Sequence, residues 1–439
     1  MSFLFNYHLR KRALLFSFAL LLCSNAEAQR PNIIYIMTDD MGYGDLSGYG
    51  RKDYSTPNLD KLASQGIKFV NAYSAGPLCT PTRAALMTGR YPARTPVGLM
   101  EPLTTSKRDS TFGLTAEFPS VATLMSASGY ETALVGKWHL GFLPQHSPVK
   151  NGFDYFFGFH SGAADYISHT GDGGKHDLYE NDTPVYPEGY LTDLFSQKAI
   201  TFIKQKHDKP FFLAITFNTP HWPWQGPSDK PYAASANFRE GGSPAIYAAM
   251  MKSMDDAVGR IMNTLDDAQL SNQTIVIFTN DNGGERYSDN GGLSNAKSSL
   301  WEGGIRVPAF VRWPGKINPG VITQQVAITM DWTATILSAG GAKAHTDFPL
   351  DGIDLMPILT GKKNVERTIY WRTFQRAKQK AIRMGEWKYL QDAKGEYLFN
   401  LAADQAEKND LKEKHQDIFN TLKKKYADWE KTMLPPIPL

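Results

Sequence analysis

The run Asn32-Ile33-Ile34-Tyr35-Ile36-Met37, followed at once by Thr38-Asp39-Asp40, sets the reading of this chain. A short apolar stretch rich in β-branched residues and closed by turn-formers is the pattern of a strand buried on both faces. The pattern returns three times. Thr132 to Val135 leads into Gly136-Lys137-Trp138-His139, Phe211 to Phe217 ends in Asn218-Thr219-Pro220-His221, and Thr274 to Thr279 ends in Asn280-Asp281-Asn282-Gly283-Gly284. Amphipathic helical stretches lie between them, at Pro57 to Gln65, Ser120 to Ser128, Thr192 to Gln205 and Ser243 to Ala268. The alternation predicts an α/β fold with a large, mostly parallel central sheet flanked by helices. Ligands of such sheets bind outside the carboxyl ends of the strands. Each of these four ends delivers polar or ionisable side chains, so carboxylates, a lysine and two histidines should gather along one edge.

Beyond about Thr360 the pattern changes. Thr368 to Arg372, Lys380 to Arg383, Lys388 to Leu390 and Tyr397 to Phe399 are spaced like an antiparallel meander, and a polar helix from about Gln416 to Lys431 follows. This predicts a small C-terminal antiparallel sheet plus helix at 361–439, behind a catalytic region at 29–360.

The 439 residues are 42% hydrophobic and 12% aromatic, enough to bury a large core. A net charge of +3 without a concentrated basic stripe argues against nucleic acid as a partner. Arg10, Lys11 and Arg12 precede an apolar run from Ala13 to Leu22, and Ala26-Glu27-Ala28 stands before Gln29. This is the grammar of a cleavable secretory signal at 1–28, giving a periplasmic or secreted protein. The apolar run is well short of the roughly 20 residues that span a bilayer, so the mature chain carries no integral membrane segment. Cys23 would suit a lipoprotein signal, but Leu22 stands where a small residue is usual. With Cys23 removed, Cys79 is the one remaining cysteine, and no internal disulfide can form. Such a cysteine either packs as a small hydrophobe or is kept for its chemistry.

Cys79 opens Cys79-Thr80-Pro81-Thr82-Arg83-Ala84-Ala85-Leu86-Met87-Thr88-Gly89-Arg90. Pro81 suits a first helical turn and Thr80 could cap it, which would put Cys79 at the positive end of a helix with Arg83 nearby. Backbone donors, the helix dipole and a guanidinium together favour a sulfate or phosphate there.

This stretch resembles the signature of the formylglycine-dependent sulfatases, arylsulfatase-like members of the alkaline-phosphatase superfamily. The resemblance runs from Pro31 to roughly Leu411, through Thr38-Asp39-Asp40-Met41-Gly42, Gly136-Lys137-Trp138-His139-Leu140-Gly141, Asn280-Asp281-Asn282-Gly283-Gly284 and Glu302-Gly303-Gly304-Ile305-Arg306-Val307-Pro308. It implies an exported enzyme that hydrolyses sulfate esters through a formylglycine (3-oxoalanine) made from Cys79 by a formylglycine-generating maturation enzyme. One oxygen of the hydrated aldehyde attacks sulfur, and the other expels sulfate by reforming the aldehyde. By the same resemblance Asp39, Asp40, Asp281 and Asn282, with the modified Cys79, hold one calcium ion, and all-oxygen donors do suit a hard cation better than zinc. Arg83, Lys137 and Lys297 are implied to hold the sulfate and the diol, His221 to protonate the leaving oxygen, and His139 to take the diol's proton.

The stretch His160 to Tyr166, His169, Lys175-His176, and Trp222 and Trp224 flanking His221 are candidates for sugar contacts or for plain loop structure. Export favours a sulfated polysaccharide or oligosaccharide as the substrate; a likeness to N-acetylgalactosamine-6-sulfatases does not choose the sugar. Two other readings stay open at this point: a phosphate or phosphonate ester hydrolase of the same superfamily, and a non-catalytic carbohydrate-binding relative whose Cys79 stays a thiol.

Overall fold

The structure, a computed structural model, describes residues 30–232 and 237–437. The signal read at 1–28, with Cys23, lies outside the described residues.

Four buried runs form the middle of a ten-stranded sheet: β1 (Asn32–Thr38), β4 (Glu131–Lys137), β8 (Phe211–Thr216) and β9 (Thr274–Asn280). The shorter strands are β2 (Ile67–Phe69), β3 (Ala72–Tyr73), β5 (Tyr155–Phe159), β6 (Tyr179–Glu180), β7 (Thr183–Pro184), β10 (Ala309–Arg312), β11 (Val321–Thr323) and β12 (Ala327–Ile328). Across the large sheet the order is β11-β2-β10-β9-β1-β8-β4-β5-β6-β7, while β3 and β12 pair apart. The run β9-β1-β8-β4-β5 is parallel throughout; β10 on one side and the β6–β7 hairpin on the other are antiparallel.

Alternation along the strands divides the interior in two. Ile34, Ile36, Leu213, Ile215, Val276 and Phe278 face α1 (Pro57–Ser64), α4 (Leu191–Lys204) and α5 (Pro244–Asp267). Ile33, Tyr35, Met37, Phe212, Ala214, Ile275 and Ile277 face α2 (Cys79–Thr88), α3 (Val121–Ala127), α7 (Thr329–Ala339) and α8 (Met356–Leu359). A sheet covered on both faces leaves its strand ends as the open edge, and these ends carry the polar residues read from the sequence.

One boundary differs from expectation in a way that matters. Gly136 and Lys137 belong to β4, because β5 pairs as far as Lys137↔Phe159. Lys137 is therefore the last residue of a strand and fixed by its ladder. Gly136 has φ +125°, and a Cβ there would lie 2.1 Å from the Thr216 carbonyl oxygen of β8. Gly136→Ala is expected to cost roughly 1–3 kcal/mol and to displace Lys137, seen as a lowered urea midpoint together with lost activity. Wild-type stability in that variant would refute the reading.

The C-terminal meander forms as expected: β13 (Thr368–Arg372), β14 (Lys380–Met384), β15 (Trp387–Asp392) and β16 (Gly395–Asn400) pair in order, antiparallel. One face sets Ile369, Trp371, Ala381, Leu390 and Phe399 against Tyr73, Ala85, Ile328 and Met330 of the main body. The other sets Ile382, Tyr389 and Leu398 under Leu422 and Tyr426 of α9 (Gln416–Glu430). Between sheet and main body lies a buried ion cluster built on Glu302, which opens the short helix α6 (Glu302–Ile305). Glu302 accepts hydrogen bonds from the Tyr73 hydroxyl (2.7 Å), Arg306 Nε (2.7 Å) and Lys388 Nζ (2.8 Å). Lys388 also pairs with Glu407 at 2.8 Å.

Candidate active site

Helix α2 begins at Cys79, with Leu78 in extended conformation as its N-cap and no side chain capping it. The expected cap from Thr80 does not form, because Thr80 lies inside the first turn. Its hydroxyl is committed to neighbouring loops, accepting from Leu103 N at 3.1 Å and donating to the His139 carbonyl at 3.4 Å. Pro81 does sit in the first turn, and the Cys79 side chain is placed at the helix N-terminus, the end that carries partial positive charge.

The end of β1 delivers Asp39 and Asp40 to that point. Cys79 Sγ lies 3.5 Å from Asp39 Oδ1, and ligand atoms of Asp39, Asp40, Cys79 and His221 all lie within 4.8 Å of one another. Lys137, at the end of β4, donates from Nζ to Asp39 Oδ2 at 2.5 Å. Arg83, one turn along α2, donates to the Lys137 carbonyl (2.9 Å) and to Asp281 Oδ2 (3.0 Å), with Asp39 Oδ2 at 3.6 Å. The turn after β9 closes the far side. Asp281 Oδ1 accepts from Asp40 N at 3.3 Å, and Asn282 Nδ2 donates to Asp40 Oδ1 at 2.8 Å. Lys297 Nζ reaches Asp40 Oδ2 at 2.5 Å and Glu285 Oε2 at 3.6 Å.

The histidines complete the arrangement. His221 Nε2 is 3.5 Å from Asp40 Oδ2, and its Nδ1 is 2.6 Å from the Trp222 carbonyl oxygen. A carbonyl only accepts, so Nδ1 carries a hydrogen. His139 Nε2 donates likewise to the Leu103 carbonyl at 2.9 Å, and its buried Nδ1 has no partner among the described residues. Asp40 (φ 64°), His139 (φ 56°) and Ser298 (φ 72°) all sit in the left-handed region, a strain that collects where geometry is imposed by function.

Electrostatics separates groups of one type. Burial alone would raise the Asp39 carboxyl, but Lys137, His221, Arg83 and Lys297 hold it well below the usual carboxylate range. Burial pushes Asp40 well up despite Lys297, and burial with the charge of Asp39 pushes Asp281 up to about 7 despite Arg83. Burial, with Lys137 beside His139 and Lys297 beside His221, holds both imidazoles well below their ordinary value. Burial, reinforced by Asp39, pushes the Cys79 thiol up, so an unmodified Cys79 is a thiol and a poor nucleophile.

The donor set fits a hard cation. Asn282 Oδ1 is buried with no partner among the described residues, and it stands beside carboxylates from two strand ends. An orphaned carbonyl oxygen facing converging carboxylates is what an oxygen-ligated divalent ion would satisfy.

All ten residues singled out from the sequence (Asp39, Asp40, Cys79, Arg83, Lys137, His139, His221, Asp281, Asn282 and Lys297) are brought together, each buried or nearly so. Cys79, His139, His221 and Lys297 line an open cavity of about 170 Å³. Trp222 lines it too, whereas Trp224 is buried in the core against Tyr287. His160 packs edge-on to Phe156 and Tyr179 beside Asp177, His169 bonds the Gly189 carbonyl, and His176 stacks on Tyr186. The sequence reading missed Asp172, Arg239, Glu285 and Arg376, which also line the cavity. Glu285 could have been found, since it directly follows Gly283-Gly284; Arg376 had no local signal.

The chain belongs to the sulfatase family and is a sulfuric ester hydrolase: the family model described as Sulfatase matches residues 31–342, and one described as N-sulphoglucosamine sulphohydrolase, C-terminal, matches residues 295–432. Among similar proteins, N-acetylgalactosamine-6-sulfatase of Canis lupus familiaris is 34% identical over 82% of this chain and 71% of that one. Arylsulfatase J of Mus musculus is 31% identical over 93% and 77%. Of solved structures, Ps i-CgsB in complex with k-i-k-neocarrahexaose is 31% identical with a TM-score of 0.82, covering 91% of this chain and 93% of that one.

Proposed function

We propose that this protein is an exported, calcium-dependent sulfatase acting on a sulfated polysaccharide or oligosaccharide through a formylglycine made from Cys79. The observation that carries the proposal is the placement of Cys79 at the N-terminus of α2, 3.5 Å from Asp39 and among Arg83, Lys137 and Lys297. Three buried cations and a helix N-terminus around one small side chain suit a tetrahedral oxyanion and little else. Relatives that act on N-acetylgalactosamine-6-sulfate esters, and one bound to a neocarrahexaose, support a carbohydrate carrier. Among the described residues no helix is long and apolar enough to cross a membrane, which accords with export directed by residues 1–28.

In this reading Asp39, Asp40, Asp281 and Asn282, with the oxidised side chain of residue 79, hold calcium, which when bound supplies Lewis-acid stabilisation of the charge that develops on oxygen. A hydrated formylglycine formed from Cys79 would supply the oxygen nucleophile at this position. The protein's own groups do the rest. Arg83, pinned by the Lys137 carbonyl and Asp281, presents its guanidinium at a fixed angle, and Lys137 and Lys297 offset the equatorial charge. His221, with Nδ1 committed to the Trp222 carbonyl, delivers a proton from Nε2 to the leaving oxygen; the negative charge of an entering ester favours its protonation. His139 has its lone pair on Nδ1, buried and unpartnered, in place to take a proton during sulfate release.

Matched aryl sulfate and aryl phosphate esters test the proposal. Sulfate release should exceed phosphate release by at least ~100-fold, be lost on chelation, and return with calcium. Preferred phosphate release would make the chain an esterase of the other kind, and no release from protein of the native host would leave it a binding protein.

A further inference from the structure

The cations deep in the cavity are each matched: Arg83 with Asp281 and Asp39, Lys137 with Asp39, Lys297 with Asp40 and Glu285. Two further cations line the same cavity, Arg239 and Arg376, and neither has a carboxylate within ion-pair distance among the described residues. Arg239 lies 4.9 Å over the Trp222 ring, which orients a guanidinium while leaving its N–H donors uncommitted. Arg376 comes from the loop between β13 and β14. That loop is fixed at its base, because the Glu101 carboxylate accepts from Phe374 N (3.0 Å) and Gln375 N (2.9 Å). Arg239, Trp222 and Asp172 also form the wall shared with a second cavity lined by Ser168, Thr170, Tyr232, Asn237 and Phe238. The two hollows therefore adjoin at Arg239.

A single sulfate ester is fully served by the buried cations. Unpaired arginines at the rim of the same hollow are surplus to it, and a guanidinium is built for bidentate binding of sulfate or carboxylate. Asp172 stands on the same wall as Arg239, and Glu285 stands near Lys297, so an entering anion meets each of these carboxylates with a cation nearby. We propose that Arg239 and Arg376 form a second anion-binding element, so that the preferred substrate carries another sulfate or a carboxylate on or next to the sugar being desulfated. The inference rests on the sulfatase reading above and deepens it.

The test uses the intact, matured enzyme and oligosaccharide pairs that share the scissile sulfate. One pair differs by a single additional sulfate, the other by a uronate carboxylate against its reduced alcohol. The quantity read is the ratio of kcat/KM with and without the second charge. In the wild type it should be roughly 10- to 100-fold for at least one pair, the scale of a charge-assisted bidentate contact, and the pair that shows it identifies the anion. Arg239→Ala and Arg376→Ala should each bring the ratio towards 1, mainly through KM, while Arg239→Lys and Arg376→Lys keep part of it. A wild-type ratio near 1, or one that survives both alanine variants, overturns the subsite while leaving the sulfatase reading intact if an aryl sulfate is still cleaved. Protein that releases sulfate from none of these substrates overturns both.

Discussion

Cys79→Ala is expected to lower kcat on an aryl sulfate by on the order of 10⁴-fold or more, with the fold retained. The side chain is small and 2% exposed, so its removal leaves a minor void, within roughly 1–2 kcal/mol of stability. On the reading proposed above, what is lost is the thiol from which the formylglycine would be made. Cys79→Ser is equally informative: it keeps a heavy atom in place but offers no thiol to oxidise, and its activity should fall as far. Mass analysis of the Cys79 peptide from the native host should show formylglycine in place of the thiol. A loss of less than about 10-fold in Cys79→Ala would remove this residue from the chemistry.

The second large effect is on stability. Glu302→Ala is expected to cost about 3–5 kcal/mol, read as a shift of the urea midpoint at constant slope. The substitution leaves Arg306 and Lys388 fully buried, and an arginine cannot shed its charge. Burial alone would raise the Glu302 carboxyl, but Lys388, Arg306 and Arg383 hold it at about 2. A carboxylate depressed in the fold contributes stability that is complete above its unfolded value, near 4.5, and is lost as pH falls through about 2. The difference between wild type and Glu302→Ala should therefore be constant above about pH 5 and shrink below it. A difference under 1 kcal/mol at neutral pH would show that the cluster is not what joins the C-terminal sheet to the main body. Loss of activity should accompany loss of stability. The Gly304 carbonyl of α6 holds Gly283 N at 2.9 Å, and a Cβ at Gly283 would lie 1.9 Å from the Gly303 oxygen, so the Asp281-Asn282 turn is seated directly on this helix.

The parts of the fold that could be read locally were those with continuous runs. Asn32–Thr38 and Thr274–Asn280 announce themselves because strands buried on both faces have no polar alternation to confuse with a helix. Strands of two to four residues, such as Ala72–Tyr73 and Ala309–Arg312, leave no such trace. Their pairing is decided by partners far along the chain: Ala309 meets Phe69 and Phe310 meets Phe278. The site divides the same way. Asp39, Lys137, His221 and Asp281 stand at strand ends and were legible as a convergent edge. Thr80 was misread as a cap because a threonine directly before a helix-opening proline looks the same whether its hydroxyl turns back to its own helix or out to Leu103. Arg376 reaches the cavity only because the C-terminal sheet lies beside residues as distant in sequence as Leu78 and Cys79, and no local pattern encodes that.

Trp371 donates to the Ser74 carbonyl at 2.8 Å, and Lys388 reaches both Glu302 and the Leu300 carbonyl. The ground on which the reaction pocket stands is thus tied down by segments that follow it far along the chain.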